Sequence, residues 1–153
     1  MSTLARLMRT TSDPLLLVAR VVLGVVMFAH GSQKVFGLFG GGGLDGAYAF
    51  FAGFGIPSWL ATLGIIAEFG GAIALLLGVL GRVAAAGLIV NMLVAITVVH
   101  GRFGFFMNWG GQQGGEGIEF HLITIALLLT ILVRGSGPLS IDLAAGGRQT
   151  LGA

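Results

Sequence analysis

The chain of 153 residues contains no cysteine. Disulfides, thiol redox chemistry and cysteine-ligated iron–sulfur clusters are therefore excluded within it. Charge is almost as scarce. Asp, Glu, Lys and Arg make up 9% of the residues, against about 25% in a soluble domain. The net charge of +2 is too small to draw in nucleic acid. No internal repeat is evident. No A-x-A site follows the first apolar run, and Arg20 interrupts that run, so a cleaved signal peptide is not expected. What the chain does have is apolar length: 56% hydrophobic residues and a mean hydropathy of +0.99, gathered into runs that match a hydrocarbon core of roughly 30 Å. This composition predicts an integral membrane protein forming one small helical domain over residues 1–153.

Four spans are expected, at about residues 15–36, 57–80, 83–100 and 118–134. The fold class is then all-α: a four-helix transmembrane bundle with interfacial or re-entrant segments in its two long outer loops. Asp13-Pro14 reads as a cap followed by a first helical position. Pro57 opens the second span, with Trp59 in the aromatic belt. The glycine run 37–43 ends the first span. The aromatics Tyr48, Phe50, Phe51 and Phe54 after it suit a segment at headgroup level. Gly81-Arg82 is a tight turn that makes spans two and three a hairpin. Residues 101–117 should lie at the interface or dip back as a cover, and the glycine-rich tail should hug the surface and then fray. Arg6, Arg9, Arg82, Arg134 and Arg148 fall on one side, Lys34 and Arg102 on the other. The positive-inside bias therefore puts both termini in the cytoplasm.

The polar residues inside these spans carry the functional question. In the first span Arg20, Gly24, Met27, Gly31 and Lys34 share one stripe, with His30 at its edge. A small, polar stripe belongs against protein. In the second span Glu68 lies about 16 Å down the helix, on a face shared with Gly64, Gly71 and Ala72. Gly70, Ala74 and Gly78 form a small-residue ladder beside it. Arg20 and Glu68 are expected to pair as a buried ion link. Lys34 and Arg102 lie near the interface and can snorkel to headgroups. Asn91 reads as an interhelical hydrogen bond. His100 points away from Asn91 on an ideal wheel, so it faces another neighbour or the helix has loosened there. Glu119 and His121 are two apart, so a regular helix turns only one of them inward.

A polar cluster under an apolar roof has the general form of a ligand site. Quinone carbonyls take donors such as His, Arg, Lys and Asn, and carboxylates and His move the protons of quinone reduction. Haem ligated by two His, or a His/Glu metal site, fits the residue types but has no spacing signature.

The ordered set of motifs resembles the DoxX-like membrane proteins over about residues 15–143. The elements are Arg20 in the first span, His30-Gly31 with Lys34, and Gly55 with Pro57. Glu68 with Gly70-Gly71 and a later LLLG, Gly81-Arg82 with Ala84, and His100 follow. The set closes with Glu116 and Glu119, then Gly135, Gly137, Ser140 and Asp142 in the tail. The resemblance implies a four-helix bundle in the bacterial plasma (inner) membrane, multi-pass, linked to thiosulfate:quinone oxidoreductase, to terminal oxidase and to complexes concerned with oxidative stress and thiol balance. It implies a redox subunit more than a free-standing enzyme. With no cysteine here, any thiol or sulfur step would belong to a partner. On this reading the catalytic candidates are His30, Lys34, Glu68 and His100. The ligand-binding candidates are Arg20, His30, Asn91, His100, Glu119 and His121. Quinone is the ligand that fits best, ahead of haem or a metal. The partners are membrane lipid, quinone or quinol and a soluble or membrane redox protein, with a homo-oligomer left open. Two rivals belong to other classes: a non-catalytic assembly or scaffold protein, and a small-molecule or metal-binding carrier. A quinone site predicts an apolar pocket reaching the His cluster. A scaffold predicts polar residues paired with each other and no cavity. A metal carrier predicts His and Glu converging on one point.

Overall fold

The computed structural model describes residues 3–146, so Arg148 and the tail end expected to fray lie outside the described residues. Helices are joined by loops in the described residues, which contain no strand. The helices are α1 (Thr3–Met8), α2 (Pro14–Phe36), α3 (Gly43–Gly53), α4 (Ser58–Leu77), α5 (Gly81–Ala95), α6 (Glu119–Arg134) and α7 (Ile141–Gly146). A π turn (Ile96–His100) and a 3-10 turn (Gly101–Phe103) continue α5. Local chemistry sets the ends. The Asp13 side chain accepts from the Leu15 N–H at 2.9 Å, with Pro14 next to it. Gly37 ends α2 at φ 71°, and Gly78 ends α4 at φ 64°, a conformation that costs glycine nothing.

Among the described residues three segments are long and apolar enough to cross a membrane: α2, α4 and the continuous stretch Gly81–Phe103. Helix α6 is shorter, with 16 residues. Helix α2 packs on α4, α4 on α5, α5 on α6, and α6 back on α2. The α2 stripe does face protein: Arg20, Gly24, Met27 and Gly31 are buried, while Val18, Val22 and Val25 are exposed. Lipid tails are as apolar as these side chains, so close approach at small residues holds such helices together. A Cβ on Gly31 would meet the Phe69 Cα at 2.8 Å, and one on Gly71 would meet Leu88 Cγ at 3.2 Å. Gly70 differs: it is exposed, and a Cβ there would meet only Ile66 of its own helix. Gly71→Leu is therefore expected to cost about 1–3 kcal/mol through overpacking, whereas Gly70→Leu should be nearly silent. Thermal unfolding of the two variants in detergent checks the contrast, and equal effects would contradict this packing.

The end of the molecule that carries α1 and α7 is closed by arginines on carbonyls. Arg20 is 1% exposed. It donates to the carbonyls of Leu75 and Leu76 at the end of α4, and to those of Ser136, Pro138 and Leu139 in the segment after α6. Arg82 does the same for Leu132 and Val133 at the end of α6, and also reaches the Arg9 carbonyl. The last carbonyls of a helix have no partner within it and carry its negative end, so a guanidinium with five N–H donors suits them. Buried Asp142 completes the lock by accepting from Leu80 N–H (2.7 Å), Gly81 N–H (3.0 Å) and Ser136 Oγ (2.6 Å). The tail before residue 147 is thus built into the structure rather than laid along its surface. The expected Arg20–Glu68 pair does not form. Glu68 lies seven residues before Leu75 on α4, about 10 Å along the axis, and Arg20's donors are taken by nearer carbonyls.

Candidate functional site

At the opposite end of the molecule, α2, α3, α4, α5 with its π turn, and α6 enclose a cavity of about 520 Å³. Its wall is largely apolar, through residues such as Met27, Phe50, Phe51, Val98, Val99 and Phe120. His30, Lys34, Glu68, Asn91, His100 and His121 also line it. Six of the eight residues singled out in the sequence therefore meet in one place.

Glu68 is the hub. It is 5% exposed. Its Oε1 accepts from Lys34 Nζ at 2.6 Å and its Oε2 from Asn91 Nδ2 at 3.0 Å. The carboxylate thus ties α2 to α5 through α4. Lys34 turns inward to reach it, with its side chain 26% exposed, instead of snorkelling outward. Arg102 keeps to the rim, over the rings of Phe54 and Phe103 at 5.3 and 4.7 Å.

The imidazoles form a second group. His30 stacks near Phe120 with ring centroids 5.7 Å apart, Phe120 lies 5.6 Å from His121, and His121 lies 4.3 Å from His100. His100 Nδ1 is 2.8 Å from the Glu116 carbonyl oxygen. A carbonyl only accepts, so Nδ1 is the donor there, which leaves Nε2 free to face the cavity. His121 is 5% exposed. Its Nδ1 faces the carbonyls of Gly117 and Ile118 without a well-formed hydrogen bond.

The π turn explains how His100 joins this group. Nine residues separate it from Asn91, which on a regular α-helix places the two on opposite faces. The wider i→i+5 turn at Ile96–His100 brings His100 round to the same cavity, and π turns recur at functional sites. The two-residue spacing of Glu119 and His121 resolves as geometry requires. His121 turns inward, and Glu119 turns to the loop, where it accepts from Met107 N–H at 3.1 Å. Glu119, like Arg20, lies outside the cavity wall. Loop 101–117 is tied down by that bond, by Asn108 pairing with Gln113, and by Glu116 accepting from Asn108 N–H.

The sequence reading passed over Gln33 and Met107, and used Glu116 only as part of a motif, yet all three line the cavity. Gln33 carries a faint signal, one residue before Lys34 in a stretch with His30. Met107 carries none. Among the described residues no three of His, Asp or Glu converge to hold a metal ion. The arrangement suits a mostly apolar molecule that carries polar oxygens. Lys34 and Asn91 can donate to such oxygens, and the imidazoles and Glu68 can exchange protons with them.

The family model DoxX matches residues 15–101 of the chain, from α2 to the end of the π turn. A protein of Bacillus subtilis (strain 168) named "Putative oxidoreductase CatD" is 25% identical over 126 residues, covering 82% of this chain and 83% of that protein. No solved structure matches the chain.

Proposed function

The chain belongs to the DoxX family, and on that premise we propose that it is a membrane subunit of an oxidoreductase system that binds quinone or quinol in the cavity and works with partner proteins. The carrying observation is the cavity itself: about 520 Å³ of mostly apolar wall, with the Lys34–Glu68–Asn91 link and three histidines set into it. A quinone held there would supply two-electron, two-proton chemistry, and a partner would exchange the electrons. The chain's residues bind, orient and move protons. Lys34 Nζ spends one donor on Glu68 and has two left, enough to hold a carbonyl oxygen. His100 Nε2, freed by the Nδ1 bond to Glu116, is placed to take a proton from a ring hydroxyl.

Helix α6 completes the set of spans in this reading. Its 16 residues cover about 24 Å, and its flanking segments make up the rest of the core. The chain then sits in the bacterial inner membrane with both termini in the cytoplasm. A reporter fused after Ala153 that folds only outside the cytoplasm should be inactive, and full activity would reverse the topology. A scaffold reading expects the polar residues to satisfy one another with no cavity beside them. The cavity lined by the Lys34–Glu68–Asn91 link favours a ligand. Organic extraction of protein purified in mild detergent tests the proposal. Quinone should be recovered in stoichiometric amount from the wild type and should fall sharply in His100→Leu. Recovery equal to that of an unrelated membrane protein would refute it.

A further inference from the structure

Helix α3 turns Gly43, Gly46, Ala47 and Phe50 toward the cavity, the i, i+3, i+4, i+7 face of a helix. The glycines along this edge have different reasons to be glycine. Gly43 has φ +65°, a Cβ on Gly41 would run into the Gln33 backbone, and one on Gly42 would come within 2.9 Å of the Gly46 Cα. Gly46 has no such reason. It is helical, its φ is not positive, and a Cβ there would meet nothing within 4 Å. Glycine inside a helix is less stable than alanine. What it provides at this position is bare backbone in the cavity wall.

We propose that Gly46 is the specificity-determining residue of the cavity: the uncovered α3 backbone is the surface against which a planar ring lies, and any side chain at this position narrows the set of rings admitted. The occupant being a quinone rests on the function proposed above, but the role of Gly46 does not. Tyr48 Oη, 2.9 Å from Thr62 Oγ1, holds α3 to α4 and so fixes the height of this surface above the Glu68 hub. Lys34, with two donors beyond its bond to Glu68, lines the same cavity and offers a polar group to the same occupant.

The test uses the full chain in nanodiscs, with empty nanodiscs as the blank. Two probes are titrated: menadione, a ring with carbonyls, and 1-aminoanthracene, a flat fluorescent ring without them. Gly46→Phe should weaken both by about tenfold or more, and Gly46→Ala by a smaller factor. The unfolding temperature should be unchanged or raised in both variants, because the new side chain enters open space. Wild-type affinity for both probes in Gly46→Phe would overturn the proposal. So would a loss of folding in Gly46→Ala, which would mean that the space is not open. If the wild type takes aminoanthracene but not menadione, the quinone reading fails, and the aminoanthracene affinities alone decide the role of Gly46. If it takes neither, both fall.

Discussion

Arg20→Met should lower the stability of the protein by about 3 kcal/mol or more, because it strands several buried carbonyls at once. The Arg20 guanidinium reaches two carbonyls at the end of α4 and three in the segment after α6. Removing it leaves the Leu75 and Ser136 carbonyls, where the bonds are buried, without this donor, and loosens the part-buried contacts beside them. Arg20→Lys should recover only part of the loss. One ammonium has three donors at a single point and cannot span carbonyls on two segments. Asp142→Ala should act in the same direction, since Asp142 holds the Leu80 and Gly81 N–H groups and Ser136 Oγ of the same lock. Ligand binding by whatever Arg20→Lys remains folded should be close to normal, because Arg20 lies ten residues, about 15 Å, below His30 on α2. Thermal unfolding in detergent paired with menadione titration separates the two effects. A variant of full stability that has lost binding would place Arg20 in the ligand site after all.

The second large effect belongs to Lys34 and Glu68. Lys34→Met leaves a carboxylate that is 5% exposed with Asn91 as its remaining partner. Breaking one side of a buried pair costs about 3–5 kcal/mol, often more than removing both sides. The double variant Lys34→Met/Glu68→Gln should therefore recover part of the loss. The double-mutant cycle should show a coupling of about 1–3 kcal/mol, as residues in contact do. The matching cycle for Arg20 and Glu68 should be additive, because no contact joins them. A strong Arg20–Glu68 coupling with none for Lys34–Glu68 would contradict the arrangement described above. Both Lys34→Met and Glu68→Gln should also weaken menadione binding, which a purely structural ion pair remote from a ligand would not do.

The sequence made some of this arrangement legible. The stripe from Arg20 to Lys34 follows from the period of 3.6 and is the buried face of α2. The same period required that only one of Glu119 and His121 turn inward. Asp13-Pro14 and Gly37 marked the ends of α2 to within a residue. What stayed hidden depended on backbone and on irregular turns. Arg20 looked for a carboxylate on paper, but its partners are carbonyls, which every residue has and no motif announces. Lys34 sat two residues from the helix end, where outward and inward reach are equally open to a flexible side chain; Glu68 on α4 decides between them. His100 was named as a candidate although an ideal wheel turned it from Asn91, and the loosened helix offered as one explanation is the π turn. Asp142 and Ser136, in a tail that reads as glycine-rich surface, proved to cap the start of α5 and anchor the lock.

The most direct test of the central claim is photolabelling with a short-chain azidoquinone, followed by mass spectrometry of the labelled residues. The claim predicts that labels fall on the cavity wall, in the stretches holding His30 to Lys34, Gly46 to Phe51 and Val98 to His121. It further predicts that excess unlabelled quinone removes them and that Gly46→Phe reduces them. Labelling confined to the exposed side of α2, at Val18, Val22 and Val25, and insensitive to excess quinone would mean that the molecule meets quinone only as it meets any lipid.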